Sequence, residues 1–587
     1  MPLRLRAFAL LIAALFAPMA RADVFKVGGD VHCTHATLAD ALAAAVANGP
    51  DLDEIRLAID TQTTNARFVI EHTDVLIAGG WTTCGVAAPG ASARTLIVGN
   101  GHDSVFYIGN GRSVELRQLA ITNGGRLGVV NGDFAVGGAV WLNGGVAVLR
   151  GVRAMFNRAQ LGGGLAVNGS SVMVIHAGTA GTEIDHNEAA LVGGIYVGER
   201  ATLRIENDNV KVVHNAANAN AVAWENAGGG IFATGGATTQ SSIEVTWLSG
   251  DPDAPTTVPR GFLLADNTST GNGGGLALHG TAMFSAMEAT IRDNTAGDAG
   301  GGIHLYGNQL GAGASAYLSR RTNVLPAWIK PCDGRYGCNT ITGNVARRGG
   351  AVMVMHGRLN LGQALVAGNR STDGGGAAID TGSIANVPAP VNRLWLDSAV
   401  FAANECIGSA SSNSPCATLS LSAGPNQIHL QHVTLADNVM AAVGGGSRSE
   451  IYVGPSPLPV YLRSTIIEPA PGVSPIFSIA TVEADCVMAP QFASMGTRAL
   501  PRDPPYAFAS RAQHDYRPDE GDVAIDACDT SQLIDSGLHD PDLIAHGSVD
   551  DPAVPDRLGP GAHADIGAFE REVSDVSDVI FEDDFEG

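Results

Sequence analysis

The residues with the most chemical potential in this chain follow blocks of glycine. Counted from the last glycine of each block, Asn168, His279, Tyr306 and Asp380 take the same position. Asn143 and His356 come near it after slightly longer runs, and His304 shares its outward parity. A histidine and an aspartate on one groove could exchange a proton or ligate a metal, while tyrosine and asparagine could hydrogen-bond a sugar. His304, His356 and Asp380 are therefore the candidate catalytic residues, and Asn168, His279 and Tyr306 the candidate ligand-binding residues. An ordinary exposed turn column would use the same residue types. A separate group, Asp540, Asp542, Asp550, Asp551 and Asp556, gathers the oxygen donors that calcium favours. It lacks EF-hand spacing, and solvated acidic loops need no metal. Calcium there is the one cofactor considered, and none is firmly indicated.

These residues need elements to line them up, and a recurring phrase supplies them. An Asn is followed, after four to six residues, by glycines and a short alternating apolar run. Copies begin at Asn157, Asn187, Asn267, Asn294, Asn344 and Asn369, with steps of 30 (157 to 187), 27 (267 to 294) and 25 (344 to 369) residues. Such periods mark a solenoid, each turn of chain stacked on the last. Short β-branched segments at 55–59, 68–70, 75–77, 95–98, 105–108, 114–116 and 119–121 read as strands between Gly or Asn turns. Three fit in each repeat, which predicts an all-β fold: a parallel β-helix solenoid with three sheets and loop insertions; the hand of the coil is not set by this spacing.

Alternation assigns the faces. In Leu165-Ala166-Val167-Asn168 the first and third residues point inward and the others outward; Ile195-Tyr196-Val197, Leu276-Ala277-Leu278-His279 and Ile303-His304-Leu305-Tyr306 repeat the parity. The asparagines are expected at inward turns, where an amide can satisfy turn backbone and the next coil. The 75 glycines supply tight corners. No phosphate-binding glycine motif sits between a strand and a helix. Apolar residues at helical spacing in 38–46, after Thr37 and before Asn48-Gly49-Pro50, predict a helix capping the first coil. Excursions break the rhythm near 206–226, 235–260, 307–340, 381–425 and 441–460.

The chain of 587 residues opens with a basic head, a short apolar core over 7–19 and Ala20-Arg21-Ala22 before Asp23. That pattern predicts a secretory signal peptide at 1–22, and no later segment is long and apolar enough to span a bilayer as a helix. Export permits disulfides. The eight cysteines suggest the neighbours Cys33 with Cys84, Cys332 with Cys338, Cys406 with Cys416 and Cys486 with Cys528, a pairing from proximity alone. A zinc site is the rival, but no CxxC pair or accompanying histidine cluster supports it. A net charge of -23 argues against nucleic acid, whose phosphates demand a basic track.

The Asn and Gly-Gly-Gly phrase, over about residues 65–485, resembles the passenger region of polymorphic outer-membrane proteins and other secreted right-handed parallel β-helix repeat proteins. Ala524-Ile525-Asp526-Ala527, Arg557 and Asp565 to Glu570 resemble an end module of bacterial surface-associated β-helix proteins, with Asp526, Arg557, Asp565 and Glu570 available for a polar closure. The resemblance implies a protein secreted from, or held on the outer surface of, a Gram-negative bacterium. It does not imply an enzyme. The resulting organisation is a signal peptide (1–22), an N-terminal cap (23–64), the β-helix (65–485), a closing module (486–570) and an acidic-aromatic tail (571–587). The favoured function is adhesion, or binding of a polysaccharide or another bacterial envelope component, without chemistry. The alternatives are an extracellular polysaccharide lyase or glycoside hydrolase, and an exported structural module. The Asn-Thr-Asp, Asp-Asp and Gly-His-Gly set of polygalacturonases is missing.

Overall fold

The computed structural model describes residues 23–49, 51–130, 133–206, 209–218, 228–236, 238–246, 261–286, 289–307, 313–318, 339–383, 392–408, 414–421, 426–441, 446–491, 499–511, 515–518, 528–529, 549–550, 563–564 and 569–570. The expected signal peptide, the Cys332–Cys338 loop, the acidic tail and most of the closing module lie outside them. So do Asp540, Asp542, Asp551 and Asp556 of the calcium group; Asp550 is described only as backbone in the strand Val549–Asp550.

The chain forms an all-β parallel β-helix. One coil runs through Leu165–Asn168, Val172–His176, Thr182–Asp185 and Glu188–Val192. The next runs through Ile195–Val197, Thr202–Glu206, Val210–Val213 and Ala216–Ala217. Each strand pairs in parallel with its counterpart: Leu165 with Ile195, Val172 with Thr202, Thr182 with Val210 and Glu188 with Ala216. The expected three sheets are present, and a narrow fourth ladder lies between the asparagine and the glycine block. Its rungs are as short as Thr268–Ser269 and Thr295–Ala296. Two-residue strands carry no alternation to read, so sequence pattern could not reveal this ladder.

The predicted parity decides the core. Leu165, Val167, Ile195, Val197, Leu276, Leu278, Ile303 and Leu305 are fully buried in one continuous aliphatic column. Burying each such side chain contributes roughly 1.5–3 kcal/mol. At the glycine corner adjacent backbones touch: a Cβ on Gly274 would lie 2.4 Å from the carbonyl oxygen of Gly301. Only glycine fits that contact.

The asparagines form one hydrogen-bonded column. Asn157, Asn187, Asn215, Asn267, Asn294, Asn344, Asn369, Asn404 and Asn438 are buried. Each Oδ1 after the first accepts from both the backbone N and the Nδ2 of the preceding asparagine, at 2.9–3.0 Å. Asn215, Asn404 and Asn438 are rungs inside or beside segments that the sequence suggests are excursions. Those segments hold regular strands, among them Val210–Val213, Ser242–Thr246, Ala314–Leu318, Asn392–Ala402 and Arg448–Val453. The residue before each of these asparagines is left-handed or glycine at positive φ wherever the corner is described, as at Phe156, His186, His214, Asp266, Asp293 and Gly343.

The capping helix spans Leu38–Asn48; the Thr37 side chain accepts from the Asp40 N–H, and the helix ends at Gly49. Leu38, Ala41 and Leu42 join Val27 and Ile55 in the core, covering the first coil. At the far end Tyr506, Phe508 and Tyr516 pack on Ile466 and Met488. Disulfides join Cys33 to Cys84 and Cys406 to Cys416, as the spacing suggests. Cys486 is also disulfide-bonded; the side chain of its expected partner, Cys528, lies outside the described residues.

Candidate functional site

Strand register determines which outward residues share a row. On the first ladder, Thr234, His279, Tyr306, Met355 and Gly382 align, and Phe232, Ala277, His304, Met353 and Asp380 form the row beside them. Asn168 pairs with Asn143 in the same ladder. Asp380 therefore sits in the His304 row and not, as counting from the glycines suggests, with His279 and Tyr306. The cause is local. Ile379 pairs with Val352, which puts Ala377 level with Gly350 and Ala378 level with Ala351, so alanines stand at two positions that glycines hold in Gly300-Gly301-Gly302. Counting from Gly376 misplaces the row by two residues.

The His304 row is buried, while Thr234, His279, Tyr306 and Met355 in the row beside it are half-buried. His304 is 1% exposed and Asp380 0%. Burial, with a smaller push from His279, drives the His304 imidazole down to about 3, so it is neutral. Its Nε2 and that of His279 have no hydrogen-bond partner among the described residues. Burial raises the Asp380 carboxyl, opposed by Arg348, whose Nε donates to Asp380 Oδ2 at 2.7 Å. Met353 stands between His304 and Asp380 in the row. The two are thus two coil spacings apart, about 10 Å, beyond direct proton transfer. His356 lies at the corner leading to the second ladder, left-handed and buried, with its N–H donating to Asn392 Oδ1 at 2.6 Å. His279 and Tyr306 are neighbours with stacked rings, centroids 4.8 Å apart and 5° between planes.

The second ladder carries a stack that sequence reading missed. Asn360, Trp395, His429 and Tyr461 occupy one outward row, and Tyr317 precedes Asn360 in it. Trp395 and His429 stack with centroids 4.3 Å apart at 13°, and His429 and Tyr461 at 4.8 Å and 6°. The row spans five coils, about 19 Å. Arg358, Arg393 and Gln427 form the row on one side, and Asp397, Gln431 and Arg463 the row on the other. Arg358 lies over the Tyr317 ring at 5.3 Å and donates to Asn360 Oδ1 at 3.3 Å. His429 is 6% exposed and its Nε2 has no partner among the described residues. Burial, then the nearby Arg463 charge, pushes its imidazole down to about 4, which keeps it neutral. The signal was present in Leu394-Trp395-Leu396-Asp397, Ile428-His429-Leu430-Gln431 and Val460-Tyr461-Leu462-Arg463, which share one alternation.

Chemically, this face is a rigid polar and aromatic strip. Ring faces are used on one another, so a partner meets the rims, with arginine and glutamine donors on both sides. The chain matches no protein-family model, no curated protein and no solved structure.

Proposed function

We propose that this chain is a non-catalytic, polysaccharide-binding β-helix that works outside the cell, on the surface of a Gram-negative bacterium or released from it. The observation that carries this reading is the Trp395–His429–Tyr461 stack, flanked by Arg393 and Gln427 on one side and by Asp397, Gln431 and Arg463 on the other. A glycan lying along the solenoid axis would meet repeated donors at the coil spacing of about 4.8 Å. Arg393, Gln427 and Gln431 suit sugar hydroxyls and carboxylates. The stack sits on a rigid ladder, so little ordering entropy is lost on binding. Export accords with the two disulfides and with the leader-like sequence at 1–22.

Catalysis gains less support. The His304 and Asp380 pair is buried, separated by Met353 and tied up in part by Arg348.

The test is retention on immobilised neutral and uronate-containing polysaccharides, with product analysis alongside. Trp395→Ala combined with Tyr461→Ala should weaken retention about tenfold or more, as loss of two anchors does, while leaving the unfolding midpoint of the rest of the solenoid near its original value. Retention that survives this double change would move the site elsewhere. Unsaturated or shortened products would establish an enzyme instead.

A further inference from the structure

We propose that Asp185, His186 and His214 form a binding site for a divalent transition-metal ion of the Zn2+ type, at the corner between the third and fourth ladders. It lies apart from the aromatic strip and does not depend on the glycan reading.

The corner geometry brings the three together. Asp185 ends the strand Thr182–Asp185, and His186 and His214 take the left-handed position before Asn187 and Asn215 in successive coils. Other coils place Phe156, Asp266, Asp293, Gly343 or Ala403 at that position. Stacking coils therefore puts two imidazoles one above the other, with ring centroids 4.6 Å apart and 24° between planes. Both rings turn the same nitrogen toward one carboxylate oxygen: His186 Nδ1 lies 2.5 Å and His214 Nδ1 3.1 Å from Asp185 Oδ1. The three ligand atoms all lie within 4.8 Å of one another. Zinc holds imidazole nitrogen and carboxylate oxygen at about 2.0–2.2 Å, so an ion seated among them requires only small side-chain rotations.

The surroundings hold these ligands in place. Asp185 is nearly inaccessible, and Arg153 Nη2 fixes its other oxygen, Oδ2, at 2.7 Å. That arginine is shared with Glu183 at 3.1 Å, and Glu183 also takes Lys211 at 3.4 Å, which limits the positive charge facing an incoming cation. On the far side of His214, Nε2 is 3.9 Å from Asp266 Oδ2. Metal on Nδ1 leaves the proton on Nε2, where a carboxylate can orient the ring, as outer partners of metal-bound histidines do. Phe156 packs against His186 with centroids 5.3 Å apart. Both histidine side chains are 48% exposed, so the site opens to solvent and leaves coordination positions for water or a substrate group. Two imidazoles and one carboxylate suit zinc, nickel or copper and give too few hard oxygens for calcium.

The experiment is calorimetric titration of the untagged chain with ZnCl2, with CaCl2 as the comparison and metal content measured after dialysis. One saturable equivalent of zinc, and no calcium response at this site, is expected. The His186→Ala, His214→Ala double variant should lose that equivalent; Ala403 holds the same corner elsewhere, so the turn accepts alanine. Asp266→Ala should weaken binding roughly 10–100-fold. Failure of the original chain to take up zinc saturably, or uptake undiminished in the double histidine variant, overturns the proposal.

Discussion

Asn438 Nδ2 donates to Glu450 Oε2 at 3.1 Å, and through this bond the asparagine column ends on a carboxyl group. Every earlier described rung passes its Nδ2 to another asparagine. Thr418 Oγ1 donates to the same Glu450 oxygen at 2.7 Å. At the opposite end the Gly124 N–H donates to Asn157 Oδ1 at 2.9 Å. The column thus runs from a backbone donor to a buried acid, each link leaving the next amide oriented.

That acid makes stability depend on pH. Glu450 is fully buried, and burial pushes its carboxyl up to about 7 against the bonds from Thr418 and Asn438. A carboxyl whose folded value lies above its unfolded 4.5 favours the folded state most below pH 4.5 and loses that advantage as pH rises through about 7. Glu450→Gln keeps the shape and the acceptor oxygen but cannot ionise. The variant should gain on the order of 3 kcal/mol relative to the original chain between pH 4.5 and pH 8. Urea unfolding at both pH values checks this; equal slopes for the two proteins would refute it.

Removing an interior rung should cost more than its own contacts. Asn294 Nδ2 donates to Leu264 O and Asn344 Oδ1, while its Oδ1 accepts from the N–H and Nδ2 of Asn267. Asn294→Ala strands several buried groups at about 1–3 kcal/mol each. The expected loss is roughly 3 kcal/mol or more, read from the denaturant midpoint. Hydrogen exchange should locate the loosened region at coils 262–296 and 339–346, since repeat proteins couple chiefly to nearest neighbours.

The architecture was legible because the repeat is chemical: an amide that must find partners, then glycines where backbones touch. Where one term is replaced, reading failed. Ala377 and Ala378, at positions that glycines hold in Gly300-Gly301-Gly302, displaced the count to Asp380 by two residues. In 392–402 no glycine block announces the coil, so Trp395 looked like part of a loop although its row is as regular as any. The Asp185, His186 and His214 group escaped because His214 joins the Asp185-His186 pair only across stacked coils. No single-coil motif records that neighbourhood.

The N-terminal disulfide should be the more stabilising of the two that are fully described. Cys33 and Cys84 are separated by 51 residues and Cys406 and Cys416 by 10. Loop-closure entropy favours the longer link, and losing a native bridge typically costs about 2–5 kcal/mol. The bridge also ties the chain ahead of the capping helix to the turn after the strand Val75–Trp81. Cys33→Ser with Cys84→Ser should therefore lower the thermal midpoint more than Cys406→Ser with Cys416→Ser. The reverse order, measured by calorimetry, would show that strain or local packing outweighs chain entropy here.

Acid should destabilise the chain through buried imidazoles. His432 is 2% exposed, sits at a left-handed corner, and its Nδ1 has no partner among the described residues. Burial drives it down to about 4 from 6.5; His429 moves to about 4 and His304 to about 3 in the same direction. A base whose folded value is depressed leaves the folded state at full advantage above pH 6.5 and weakens it as pH falls toward the folded value, because the unfolded chain binds the proton first. Glu450 works in the opposite direction over part of that range, so single variants are needed to separate them. His432→Asn keeps a residue type that accepts the left-handed corner and removes one such proton. The smaller side chain leaves space and shifts the absolute stability, so the informative quantity is the drop between pH 7.5 and pH 4.5 within each protein. That drop should shrink by on the order of 2 kcal/mol. An acid limb unchanged by the substitution would mean that His432 is protonated or solvated in the folded chain.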